Sequence, residues 1–268
     1  IRNPADREGP LPDLLWEGAG LLIVNKPPGL AVHGGGPAVQ GSPAAKSGKR
    51  DTLEHRVRRY LTGRLPPSLS FTPGPLHRLD KPTSGIVVFS TTLNGARHFS
   101  ALLREGKIHK RYLAILEGNL TNAAVWEEDL YRSRGEQKTR IAEPSKESSR
   151  NRERPPGPDR GRRALTRVSP IARTGKGGVF YTLAEIGIET GRTHQIRVQA
   201  AYHGHPLAGD RKYGGGAFPG RSGPGGFFLH AGELEIPEDP ADPAGESRLF
   251  RAPPPEAFSK AVRELFGF

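Results

Sequence analysis

The order of elements in this 268-residue sequence fits an α+β fold. Three observations point that way: short apolar or alternating runs of strand length, intervening segments with helical spacing, and long connections that hold many of the chain's 35 glycines and 26 prolines. Leu21-Leu22-Ile23-Val24-Asn25-Lys26 reads as a buried strand closed by the turn Pro27-Pro28-Gly29. Residues 34–50 read as loop. Asp51-Thr52-Leu53-Glu54 matches a capping box, and Leu53, Val57, Tyr60 and Leu61 then recur at helical intervals beside Arg56, Arg58 and Arg59. A strand Ile86–Phe89 follows, then a helix from Thr91 to Glu105 with Leu93, Ala96, Phe99 and Leu103 inward and Gly106 as its stop. Lys110–Leu116 and Phe180–Ile188 alternate as strands, and a helix spans Thr193–Tyr202. The strand-like Phe227–His230 and a short closing helix through Val262 and Leu265 complete the reading. Between Arg132 and Arg163 stand eleven Lys and Arg against five Asp and Glu, with few apolar residues, so this stretch is expected to be a loop that contributes little core.

Composition narrows the function classes. Forty Lys and Arg against 28 Asp and Glu give a net charge of +12 and a pI near 10.2, which implies an anionic partner, most simply a nucleic acid. A solubilising basic surface is the plainer alternative. Hydrophobic residues are 34% and the mean hydropathy is −0.56, and no apolar run approaches membrane-spanning length, so a soluble chain without membrane association is expected. The chain has no cysteine, which excludes disulfides, thiolate metal sites and cysteine nucleophiles and fits a reducing compartment such as the cytoplasm. The nine histidines form no His-Glu-x-x-His pattern, and Gly34-Gly35-Gly36 runs into Pro37 instead of a phosphate-loop helix, so neither a metal nor a nucleotide cofactor is expected.

Two motifs concentrate chemistry. His77-Arg78-Leu79-Asp80-Lys81-Pro82-Thr83-Ser84-Gly85 places one carboxylate between basic residues where the chain must turn, with Pro82 fixing φ and Gly85 freeing the backbone. With an ordinary pKa of about 3.9, an Asp in such a loop is ionised near neutrality and able to act as a nucleophile toward electrophilic carbon. The plain reading is a structural turn Asp. Gly191-Arg192-Thr193-His194-Gln195-Ile196-Arg197-Val198 puts a glycine, two arginines and a histidine at a helix start, where free N–H groups and the dipole favour an anion. There Arg197 is either a surface cation or a buried partner for an ionised Asp, and spacing does not choose. Tyr112, in Lys110-Arg111-Tyr112-Leu113, reads on local evidence as core packing.

Taken together, these segments resemble the RluA-type pseudouridine synthase family, whose hallmarks are a His-Arg-Leu-Asp-x-x-Thr-Ser-Gly loop, a Lys-x-Tyr strand and a Gly-Arg-Thr-His-Gln-Ile-Arg helix start, here in family order. The resemblance extends from Asn25-Lys26-Pro27 through Gly204-His205-Pro206-Leu207-Ala208-Gly209-Asp210 and Tyr213-Gly214 to Leu229-His230-Ala231. It looks closest to members acting on large-subunit ribosomal RNA, notably around Ala31-Val32-His33-Gly34-Gly35. What it implies is a mixed, largely antiparallel sheet flanked by helices, with a central RNA-binding cleft. It implies that Asp80 is the catalytic aspartate, Tyr112 the aromatic residue beneath the target base and Arg197 the arginine that pairs with the aspartate. Arg78, Lys81, Arg192 and His194 are then the nearest donors for RNA phosphates. The implied activity is an isomerase that converts uridines in RNA to pseudouridine, acting as a monomer without cofactor or metal. That subfamily often carries an S4-type module upstream, and a sequence opening Ile1-Arg2-Asn3-Pro4 without methionine fits a catalytic domain at 20–268, preceded by an extension at 1–19. The basic insertion 132–163 departs from family length. The rivals are a non-catalytic RNA-binding or ribosome-assembly protein on the same scaffold, and a nucleoside hydrolase or glycosylase that would release free uracil.

Overall fold

The computed structural model describes residues 10–34, 51–65, 71–133, 138–142, 161–218, 226–237 and 247–268. The chain forms two compact units, one from residues 1–108 with 231–255 and the other from 109–230 with 256–268. Among the described residues, strands and four α-helices build an α+β fold, as expected. Among the described residues no helix is long and apolar enough to cross a membrane.

In the first unit, β1 (Asp13–Gly18) pairs antiparallel with β2 (Leu21–Lys26), so part of the 1–19 segment belongs to the sheet. β2 pairs in turn with β4 (Ser84–Ser90), from Leu21 opposite Ser90 to Lys26 opposite Gly85, and the short β3 (Gly74–Pro75) adds to β4. Leu21 to Val24 and all of β4 are buried, which is why both read as continuous apolar runs and not as alternating ones. Helix α1 (Leu53–Leu61) buries Leu53, Val57 and Leu61. Its N-cap is Thr52, whose side chain accepts the His55 N–H, one residue later than the box expected at Asp51; Asp51 instead binds Arg56. Helix α2 (Leu93–Arg104) is capped by Thr92 and followed by Gly106 at φ +70°. It turns Phe99 and Leu102 inward, while Leu93, expected inside, is 40% exposed. Phe99 and Leu102 pack with Leu21, Ile23, Ile86 and Val88. The chain returns from the second unit along β10 (Leu229–Ile236), which starts two residues later than expected, and β11 (Arg248–Arg251) pairs with it.

In the second unit, β5 (His109–Glu117), β9 (Val179–Ile188), β8 (Arg162–Lys176), β6 (Ala124–Arg132) and β7 (Thr139–Ile141) lie side by side in that order, each pair antiparallel. The expectation of a plain loop over 132–163 is therefore corrected at Thr139–Ile141, which extends the sheet; 134–137 and 143–160 lie outside the described residues. Helix α3 (Gln195–Tyr202) rests on the sheet through Val198, which packs with Leu130 and Ala164. Helix α4 (Glu256–Phe266) buries Phe258 and Ala261 against Ile115, Leu183 and Phe228.

Candidate functional site

The loop that carries Asp80 is anchored from below by a lysine. Lys26 ends the apolar strand β2 and is completely buried. Its Nζ donates to the carbonyl oxygens of Pro27 (2.9 Å), Leu30 (2.8 Å) and Lys81 (3.2 Å), so one ammonium ties the turn after β2 to the residue following Asp80. A protonated lysine has three N–H donors, and all three find acceptors here. Burial pulls Lys26 down to about 7, while the negative charge of Asp80 pulls the other way. Two backbone bonds complete the loop: Gly29 N–H to Lys81 O (2.8 Å) and Thr83 N–H to Asp80 O (3.1 Å). His77 Nε2 accepts the Val88 N–H and the ring stacks on Phe99, while Leu79 is buried, so alternate residues of the motif hold it in place. Asp80 is half-buried, and Arg78 and Lys81 on either side are exposed.

Tyr112 lies in β5 opposite Ile186 of β9 and is 7% exposed. Lys110, two residues earlier on the same face of the strand, is half-buried, and loss of water around it lowers its pKa to about 8.

Arg197 sits in the first turn of α3, buried. Its Nε and one terminal nitrogen bind the two carboxylate oxygens of Asp210 at 2.7 and 2.9 Å, and its Cζ lies 4.4 Å from the Phe227 ring centre and 5.0 Å from that of Tyr213. A planar cation between two rings, with two parallel bonds to one carboxylate, has little freedom to rotate. Asp210 is a partner the sequence reading did not assign.

Two glutamines, each almost completely buried, fix α3 to the sheet. Gln199 accepts from Thr166 Oγ1 (2.6 Å) and donates to Trp126 O, Glu128 Oε2 and Ala164 O. Gln195 donates to Leu165 O (3.0 Å) and Thr166 Oγ1 (2.9 Å), while its oxygen accepts from Thr190 Oγ1 and the Arg192 N–H. The helix therefore begins at Gln195, two residues later than expected, after His194 in the left-handed region at φ +55°. The Arg192 N–H is taken by the Gln195 side chain. His194 Nδ1 lies 2.8 Å from the Tyr213 hydroxyl, which also accepts the Thr139 N–H.

The RNA pseudouridylate synthase family model matches residues 20–202, a span that contains Asp80, Tyr112 and Arg197. The chain belongs to the RNA pseudouridylate synthase family. It is 32% identical over 203 residues to the ribosomal large subunit pseudouridine synthase D of Buchnera aphidicola, covering 75% of this chain and 54% of that protein. It is 30% identical over 257 residues to the synthase C of Vibrio vulnificus, covering 94% of this chain and 69% of that one. The chain thus spans about half the length of the first of these relatives. Among solved structures, human RNA Pseudouridylate Synthase Domain Containing 4 shares the fold, with a TM-score of 0.65 at 21% identity, over 94% of this chain and 92% of the other.

Within this member of the pseudouridylate synthase family, the motif reading named candidate site residues and missed the groups that hold them in place. Lys26, Asp210 and Tyr213 all fell in segments that carried the resemblance, yet received no role. For Lys26 a signal existed, since a cation ending a run of buried aliphatic residues must find acceptors. Asp210 gave none beyond lying in a glycine-bounded turn.

Proposed function

We propose that this chain is an isomerase that converts uridine to pseudouridine in RNA, with large-subunit ribosomal RNA as its substrate and Asp80 as the group that opens the glycosidic bond. The observation that carries the reading is the family match across Asp80, Tyr112 and Arg197. It is supported by the local build of each segment: a carboxylate on a pinned loop, an aromatic ring on a central strand and a guanidinium clamped between rings. The net charge of +12 suits a polyanionic substrate.

In this reading the target nucleotide leaves the stack, at a cost of a few kcal/mol offset by phosphate contacts from Arg78, Lys81, Arg192 and His194. Tyr112 stacks on the uracil, worth about 1–3 kcal/mol. Asp80 either adds to C1′, as a glycosidase carboxylate does, or removes the 2′ proton to give a glycal. Both routes break N1–C1′, turn the base, join C5 to C1′ and release the C5 proton, for which the Tyr112 hydroxyl is the proposed acceptor. Arg197 is the guanidinium proposed to pair with the Asp80 carboxylate and restrain its position. The acceptor sites on Asp210 fix the orientation of that guanidinium.

The test is tritium release from C5-tritiated large-subunit ribosomal RNA by the wild type and Asp80→Asn. Release by the wild type alone, with RNA affinity kept, is expected. Equal release by both would reject Asp80, and free uracil among the products would favour the hydrolase.

A further inference from the structure

A second basic feature lies in the second unit, at the sheet edge next to α3. A cavity of about 350 Å³ is lined by Tyr131 and Arg132 of β6, Thr139 of β7, Arg162 of β8 and Arg192 of the turn before α3. Strand pairing brings these residues together: Arg132 stands opposite Thr139, and Arg162 opposite Leu130, which also lines the cavity. From these contacts we infer that the cavity holds a phosphodiester of the RNA strand outside the target nucleotide. The inference rests on the reading of the chain as an RNA-modifying enzyme.

Charge balance is the first argument. On the same strand β8, Arg163 is neutralised by Glu127 at 2.6 Å and Arg167 by Glu189 at 2.8 Å. The three arginines of the cavity have no such carboxylate among the described residues. Three guanidiniums facing one concave space repel one another and attract an anion, and their planar forks match phosphate oxygens. One of them is already oriented, because Arg192 Nε donates to Arg163 O (3.1 Å) and its N–H is held by Gln195. A fixed donor loses less freedom when the anion binds.

Position supplies the second argument. Thr139 of the cavity wall donates through Oγ1 to Thr193 O (2.9 Å) and through its N–H to the Tyr213 hydroxyl (3.0 Å). The Tyr213 ring in turn faces Arg197. Two contacts therefore link the cavity to the arginine proposed to hold the catalytic aspartate. A phosphate seated there belongs to a nucleotide close along the strand to the flipped uridine. The size is at the low end for small-ligand sites and admits a single nucleotide.

The experiment measures binding of an unmodified large-subunit ribosomal RNA transcript across a salt series, together with tritium release from the same RNA. The double variant Arg132→Gln/Arg162→Gln removes two exposed cations, and Arg163→Gln is the control, an arginine of the same strand outside the cavity. Each lost single-strand phosphate contact lowers the salt slope by about 0.7, so the double variant, which gives up the one phosphate of the cavity, is expected to lose about 0.7. Over a fourfold salt increase that is about a 2.6-fold shallower loss of affinity. The control keeps the wild-type slope. An unchanged slope in the double variant, or an equal fall in the control, overturns the inference. Tritium release by the wild type with an unchanged slope rejects the cavity alone, and a reduced slope without any release rejects the isomerase reading alone.

Discussion

Arg197 and Asp210 form a two-point ion pair whose side chains are 8% and 2% exposed, with bonds of 2.7 and 2.9 Å. Taking both charges out of water costs several kcal/mol, which their attraction offsets only with good geometry, so a pair like this adds little net stability. What it supplies is orientation. The carboxylate fixes one edge of the guanidinium while the Tyr213 and Phe227 rings fix its plane, on a helix that Gln195 and Gln199 fasten to the sheet.

Removing one partner is costly because the other stays buried and charged. Asp210→Ala should lose about 3–5 kcal/mol in urea unfolding, by the usual cost of breaking a buried pair. Asp210→Asn, which keeps one acceptor, should lose less. Arg197→Lys should not restore the wild-type stability, since an ammonium cannot bind both oxygens in one plane. Asp210→Ala within about 1 kcal/mol of wild type would show that the pair is dispensable.

Lys26 gives the fold a pH dependence of predictable sign. Its pKa is about 7 in the folded state and about 10.4 in an unfolded chain. Between those values the unfolded chain binds more protons, so this group's contribution to stability rises with pH across the window, by at most about 1.4 kcal/mol per unit. Below pH 7 the full cost of the buried ammonium is present. Comparing wild type with Lys26→Met at pH 7 and pH 9, the difference in unfolding free energy should shift toward the wild type by about 2 kcal/mol. At both pH values the variant should be less stable, because three carbonyl oxygens lose their donor. A difference that does not change with pH would mean that Lys26 titrates alike in both states.

Where hydrophobic periodicity was strong, the sequence was legible. β2, β4, β5, β9 and the helices α1, α2 and α4 lie where apolar spacing placed them, because burying apolar faces is what holds them, although of the inward positions expected in α2 only Phe99 is fully buried. The missed strands are mostly solvated. β6 buries only Trp126 and Leu130 among Glu127, Glu128, Asp129 and Arg132, so apolar spacing does not mark it as a strand. β8 carries Pro170, a residue that argues against a strand, and the register shifts between Pro170 and Ala172, where a bulge absorbs the missing donor. Asp80, Tyr112 and Arg197, the proposed site residues, could be named from motifs because the chemistry proposed for them is carried by residue type. Their supports could not. The Asp210 contact with Arg197 depends on how a turn thirteen residues further along folds back, which no local pattern encodes.

Gly85, the second residue of β4, stands directly opposite Lys26, and its backbone shows why no other residue suits that position. Its φ is +111°, and a Cβ there would lie 2.2 Å from the Ala231 carbonyl oxygen and 2.7 Å from the Ala231 nitrogen. Alanine would meet both a strained backbone, costing about 1–3 kcal/mol, and a main-chain atom that cannot rotate away. Gly85→Ala should therefore lose at least about 2 kcal/mol in denaturant unfolding. Gly187 in β9 is the control: its Cβ would meet nothing within 4 Å, its φ is ordinary, and Gly187→Ala should be neutral or stabilising by up to about 1 kcal/mol. Because the strand start also sets where the Asp80 loop ends, tritium release by the folded fraction of Gly85→Ala should fall as well, whereas Gly187→Ala should keep it. Equal stability of the two variants would mean that β4 can shift at Gly85 to admit a side chain, and that the backbone there does not fix the position of Asp80.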